Sequence, residues 1–189
     1  MASLPVLRHI PSPNFSSRNG NKIRLIVLHD CEGSYAGAIS WFSQKASQVS
    51  AHFVIREDGK EATQMVDPAE KAWHAVEFNS VSIGVEMAGL SAKGFGAPEW
   101  QAAAEIIAYL LHRYQLPCQW AKGGAGAGFC SHYNLGRAGG GHSDPTTDPA
   151  IWDHFIGLVN AAYHDPTLPA SWDVSAPAGF VPTPTIRKD

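Results

Sequence analysis

The sequence predicts an α/β protein with a mixed central β-sheet flanked by helices. Three patterns lead to that class. Short apolar runs rich in β-branched residues recur along the chain. One long segment repeats apolar residues every three or four positions. Strand-like and helix-like segments also alternate, with a single hairpin among them.

The elements follow in order. Residues 1–22 are rich in Pro, Ser and Asn and read as an irregular arm. IRLIVLH, residues 23–29, is a buried strand that ends in a polar residue, His29. A helix is expected over 36–44, with Ile39 and Phe42 or Trp41 turned inward. SAHFVIREDGKEATQMV reads as a hairpin, with strands at 50–56 and 61–66 around the turn pair Asp58-Gly59. VSIGVEMAG, residues 81–89, is a further strand. Val81, Ile83, Val85 and Met87 point one way along it, and Ser82, Gly84 and Glu86 the other. Pro98 suits a first helical position, and Trp100, Ala104, Ile107, Leu111 and Tyr114 mark an amphipathic helix over about 98–115. KGGAGAGF, residues 122–129, reads as a glycine-rich loop; no Lys-Ser pair follows its glycines, so it is not a phosphate cradle. A last helix covers 150–164. Residues 165–189 carry five prolines and no periodicity, and read as a tail or linker. The expected organisation is therefore an arm (1–22), one domain (23–164) and a tail (165–189).

Composition narrows the function. The chain has 189 residues, 44% of them apolar, 16% charged and with a net charge of −3. That suits a globular domain with a real core and argues against a nucleic-acid partner. No apolar run approaches the ~20 residues of a membrane span, so no membrane insertion is expected, and a monomer is. MASLPVLRHIPSPNF has no basic start followed by an apolar stretch, so a secretory signal is not expected. Cys31, Cys118 and Cys130 are irregularly spaced and form no disulfide framework.

GHSDPTTDP, residues 141–149, contains no large apolar side chain, so it contributes nothing to a core. Its prolines and small polar residues would hold His142 and Asp148 stiffly. With His29 at the end of a strand, these three make a two-imidazole, one-carboxylate set. That is a common catalytic zinc shell, with a fourth position left for water. Asp148 before Pro149 also suits a helix N-cap. Spacing alone does not bring His29 to the other two.

VLHDCEGSYAGAISWF, VSAHFVIREDGK, KAWHA, NSVSIGVEMAG and GHSDPTTDP occur in that order. Together they resemble the zinc-dependent N-acetylmuramoyl-L-alanine amidases of the type-2 amidase and peptidoglycan-recognition-protein superfamily, phage lysins included. The resemblance covers about residues 22–160. It implies zinc held by His29, His142 and Asp148, and Glu86 as the carboxylate that shuttles a proton from water to the departing amine. Many members place a Lys, and some a His, two residues before the aspartate ligand to steady the oxyanion. Counted from Asp148 that position is Thr146, which has a hydroxyl but no charge. His74 in AWHA is the candidate substitute. Trp73 and His52 are assigned to the substrate side, with His52 more a supporting residue than a catalytic one. Cys31 and His132 are set aside as ligands, Cys31 because the family pattern does not use it. His9, His112, His154 and His164 are read as surface residues. Trp41, Trp73, Trp100 and Trp152 are assigned to the core rather than to sugar stacking, with Trp73 a possible wall of the cleft.

The expected activity is hydrolysis of the amide between N-acetylmuramic acid and L-alanine in peptidoglycan or a muropeptide. The expected setting is that of a phage lysin, made in a host cytoplasm and acting on the wall after release. The alternatives are a cytoplasmic recycling amidase and a non-catalytic peptidoglycan-binding module. A serine hydrolase is disfavoured because no GxSxG is present.

Overall fold

A computed structural model describes residues 2–172 of the chain. Among the described residues there are eight strands, β1 (Val6–His9), β2 (Phe15–Ser17), β3 (Leu25–Asp30), β4 (Phe53–Ile55), β5 (Glu61–Gln64), β6 (Glu70–Ala72), β7 (Ser82–Met87) and β8 (Gly128–Ser131), together with three α-helices, α1 (Tyr35–Phe42), α2 (Ala97–Arg113) and α3 (Pro149–Tyr163). Six strands form one sheet in the order β1-β5-β4-β7-β3-β8, and β2 pairs with β6 in a small second sheet. The β4–β5 pair is antiparallel, and the other pairs of the large sheet are parallel. The mixed sheet flanked by helices is the predicted class. None of the helices of the described residues is long and apolar enough to cross a membrane.

The two central strands, β3 and β7, are buried along their whole length, as near-continuous apolar runs require. Side chains alternate between the faces. Ile26, Leu28, Ile83, Val85 and Met87 join Phe53 and Ile55 under α2, and α3 lies against α2 through Trp152, Phe155 and Val159. The opposite face carries two smaller clusters. One packs α1 on Val54 and Met65; the other gathers Leu25, Val27, Cys130 and Leu135. Between them lies a polar strip at the carboxyl ends of the strands, where sites collect in α/β sheets.

Several expectations change here. Residues 1–22 are not wholly irregular: β1 extends the sheet edge beside β5, and β2 pairs with β6. The glycine-rich segment ends in β8, whose Phe129 and Cys130 are fully buried. Gly128 is needed there: its φ is +135°, and an added Cβ would lie 2.2 Å from the Gln119 carbonyl oxygen. Of the expected tail, residues 173–189 lie outside the described residues. The part described returns to the core: Trp172 stacks on Phe53 at 5.3 Å and donates its indole N–H to the Pro5 carbonyl at 2.9 Å. Trp41 is not a core residue; it is 52% exposed on the last turn of α1.

Glu99, in the first turn of α2, is 1% exposed, and its Oε1 has no hydrogen-bond partner among the described residues. Burial pushes its carboxyl up to about 8, with Glu57, Asp30 and Asp58 adding to the rise. Between the ordinary carboxylate value and about 8 the folded chain holds a proton that the unfolded chain releases. Stability from this residue is therefore complete below about pH 4.5 and is lost as pH rises through 8. Glu99→Gln cannot ionise. Its melting temperature relative to the parent should climb between pH 5 and pH 8, by roughly 1–3 kcal/mol in stability. A difference that stays flat across that range would refute the assignment.

Candidate active site

Strand register assembles the site. His29 in β3 lies directly beside Glu86 in β7, so both side chains emerge on the same face. On the other side Val27 pairs with Cys130 of β8. Two residues further along, His132 keeps the parity of Cys130, and its amide donates to the Leu28 carbonyl at 3.0 Å. Three neighbouring strand ends thus present His29, Glu86 and His132 to one cleft of about 310 Å³. The chain then loops through residues 133–143 and brings Asp144 over them.

His29, His132 and Asp144 form the one group among the described residues whose donor atoms could share a metal ion; these atoms lie within 4.8 Å of one another. His132 Nδ1 is 2.9 Å from Asp144 Oδ1, and His29 Nδ1 is 3.6 Å from Asp144 Oδ2. Hydrogen bonding sets the tautomers. Ser82 Oγ donates to the Phe78 carbonyl at 2.7 Å, so it accepts from His74 Nε2 at 3.2 Å. His74 Nδ1 is then a bare acceptor for His29 Nε2–H at 2.9 Å. On the other side, His132 Nε2–H donates to the Gly139 carbonyl at 2.7 Å. When the two rings are neutral, both Nδ1 atoms carry lone pairs and both face a carboxylate. Such a convergence of electron pairs is repulsive unless a cation lies among them, and the donor set suits zinc.

The convergence predicted for His29, His142 and Asp148 therefore takes a different form. Asp148 is exposed and caps α3, accepting from the Ala150 amide at 2.9 Å; its N-cap reading is the one the geometry supports. Asp144, which also precedes a proline, is the carboxylate brought to His29. The buried His132 stands where His142 was expected. His142 stacks on the His132 ring, with centroids 4.4 Å apart, and its Nδ1 is 3.9 Å from Asp144 Oδ1. It stays largely exposed at the mouth of the cleft. Measured from Asp144, the position two residues earlier is His142. A basic residue thus stands two positions before the buried aspartate, whereas the count from Asp148 falls on Thr146. Thr146 Oγ1 instead accepts from the Asp148 amide at 3.1 Å, shaping the turn into α3.

His74 lines the cleft, but both of its ring nitrogens are engaged, so it orients His29 rather than serving an oxyanion. Gly84 makes that approach possible: a Cβ there would lie 2.7 Å from the His74 ring. His52 is fully buried. Its Nδ1 accepts from the Gly84 amide at 3.0 Å, and its Nε2 lies 2.9 Å from Arg18 Nη2 and 3.1 Å from the Glu70 carbonyl. It supports the sheet and does not line the cleft. Trp73 does form part of the cleft wall, with its indole N–H donating to Ser16 Oγ at 3.1 Å.

The electrostatics fit the geometry. Burial, helped by the charge of His132, lowers His29 to about 4, which keeps its imidazole neutral. His52 and His74 are lowered by burial in the same way. Burial would raise Asp144, but the positive charge that His132 and His29 carry when protonated, or a cation held among the three, outweighs this and keeps its carboxyl well below the usual range. Glu86 moves the opposite way: burial, then the charges of Asp144 and Asp30, push it well above the usual range. Two carboxyl groups in one cleft, driven apart by their surroundings, provide a stable anion and a group able to exchange protons.

Fold and site together define an α/β protein with a histidine–carboxylate centre at the carboxyl ends of its strands. The family model described as N-acetylmuramoyl-L-alanine amidase matches residues 19–150. The chain belongs to that family. It is 44% identical over 92 residues to N-acetylmuramoyl-L-alanine amidase A of Achromobacter lyticus, a match covering 49% of this chain and 50% of that protein. The match therefore spans about half the length of that relative. The 1,6-anhydro-N-acetylmuramyl-L-alanine amidase AmpD of Citrobacter freundii is 27% identical over 184 residues, covering 83% of this chain and 92% of that protein. The Staphylococcus aureus hydrolase AmiA superposes with a TM-score of 0.71 at 21% identity, covering 85% and 84% of the two chains. That likeness supports the fold.

Proposed function

We propose that the protein is a zinc-dependent amidase that hydrolyses the bond between N-acetylmuramic acid and L-alanine in peptidoglycan or its fragments. One observation carries the reading. Two lone-pair nitrogens and a carboxylate, each oriented by a further hydrogen bond, converge beside a buried second carboxylate at the floor of a cleft. His29, His132 and Asp144 would hold the ion. Bound there, zinc would lower the pKa of water towards about 7 and polarise the amide carbonyl.

The protein's own groups do the rest. Glu86, raised by burial, takes the proton of the attacking water and returns it to the departing amine of L-alanine. His142, at the mouth of the cleft, donates to the carbonyl oxygen as negative charge develops on it. His74 and Ser82 keep His29 in the tautomer that points Nδ1 at the ion. A non-catalytic wall-binding protein would have no use for a buried carboxylate with a raised pKa at this place.

The test uses the protein as purified, treated with a chelator and then resupplied with zinc. Mass spectrometry of digests of intact wall and of a soluble muropeptide should show free L-alanyl peptides. The activity should vanish on chelation and return with about one zinc per chain. Release of disaccharides that still carry their peptide, with no free L-alanyl peptide, or an unchanged rate in chelator, would sink the proposal.

A further inference from the structure

Trp41 and Val49 are 52% and 38% exposed, and both line the same cleft as His29 and Glu86. Large apolar side chains left in solvent beside a reactive centre usually meet a ligand. This wall is also rigid. Asn14 is fully buried beneath it, and its amide nitrogen lies 2.8 to 3.5 Å from the carbonyls of Phe42, Gln44 and Val49 and from Ser47 Oγ. Ser12 adds a further bond to the Phe42 carbonyl, and Ser50 one to the Asn14 carbonyl. The segment carrying Trp41 and Val49 is thus fastened at several points before any ligand arrives, which limits the ordering cost of binding.

The chemistry of the wall selects its occupant. A scissile amide at the strand ends has a peptide on its amine side and a lactyl-linked pyranose on its acyl side. A peptide offers amide groups that need hydrogen-bonding partners. The wall offers carbon and one indole edge. A pyranose ring has an apolar C–H face that an indole can cover while its hydroxyls stay in water, the same division of labour that makes tryptophan useful at half-wet surfaces. We propose that Trp41, flanked by Val49, is the platform on which the muramoyl sugar ring of the substrate stacks. This rests on the amidase reading above, and it makes the sugar, not only the peptide, a determinant of specificity.

The experiment compares a disaccharide-linked peptide with a D-lactyl-L-alanyl peptide of the same stem. In Trp41→Ala the preference in kcat/KM for the sugar-bearing substrate should fall about 10-fold relative to the parent, mainly through KM, and Trp41→Phe should recover most of it. An unchanged preference overturns the platform. A second readout needs no cleavage. The Trp41 indole N–H resonance, assigned by its loss in Trp41→Phe, should shift on titration with the peptide-free disaccharide. If the parent cleaves neither substrate, the amidase reading fails. The titration then decides the platform by itself: a shift supports it and no shift refutes it.

Discussion

Asp144→Ala should lose zinc, while Asp148→Ala keeps it. The two residues are chemically alike and each precedes a proline, but the fold uses them differently. Asp144 is buried against His29 and His132, with both carboxylate oxygens directed at them. Asp148 is exposed and accepts the Ala150 amide at the start of α3. Removing Asp144 takes away a ligand, so the zinc affinity should fall by more than the about 10–100-fold typical of losing an outer partner. Removing Asp148 costs a helix cap, about 1 kcal/mol of stability, and leaves the affinity within a few-fold. Titration with zinc in a competing chelator, alongside thermal melts, separates the two. Equal zinc loss in both variants, or loss only in Asp148→Ala, would return the ligand set to the Asp148 arrangement. His132→Ala should behave like Asp144→Ala for the same reason.

Glu86→Gln should retain about one zinc per chain and lose activity by about 10²–10⁴-fold in kcat, the range typical of removing a general base. Glutamine keeps the size and polarity of the side chain but neither accepts nor returns a proton. Glu86 is 6% exposed between β3 and β4, so a neutral residue there should not unfold the sheet. Burial already favours the neutral form of this side chain. The melting temperature should hold or rise while turnover collapses. Metal content by elemental analysis, together with single-substrate kinetics, reads both halves of the expectation. A kcat within about threefold of the parent would remove Glu86 from the chemistry.

Much of this architecture was legible in the chain. Alternation along VSIGVEMAG put Glu86 on the face opposite Ile83 and Val85, and the structure keeps that parity. The repeat from Trp100 to Leu111 marked α2, and Pro149 with Asp148 marked the start of α3. The edge strands were not legible. β1 and β2 are short and half-exposed, and their pairing is decided by residues more than fifty positions away. β8 was disguised by glycine, which lowers strand propensity while permitting the close approach to Gln119.

His132 did leave one trace. It follows Cys130 by two residues and ends a short run, GFCSH, just as His29 ends IRLIVLH. That parallel is visible only once the glycine-rich segment is read as a strand.

The sequence by itself determined the alternation of strands and helices, the family motifs, and the presence of His29 and Glu86 on strands. Residue type and period are local quantities, and the chain carries them openly. Only the tertiary structure decided which of two Asp-Pro pairs supplies the carboxylate, and which of two histidines ten residues apart lies beside it. Ligation depends on distance, and the loop through residues 133–143 folds back so that Asp144 meets His132 while Asp148 is carried away on the first turn of a helix.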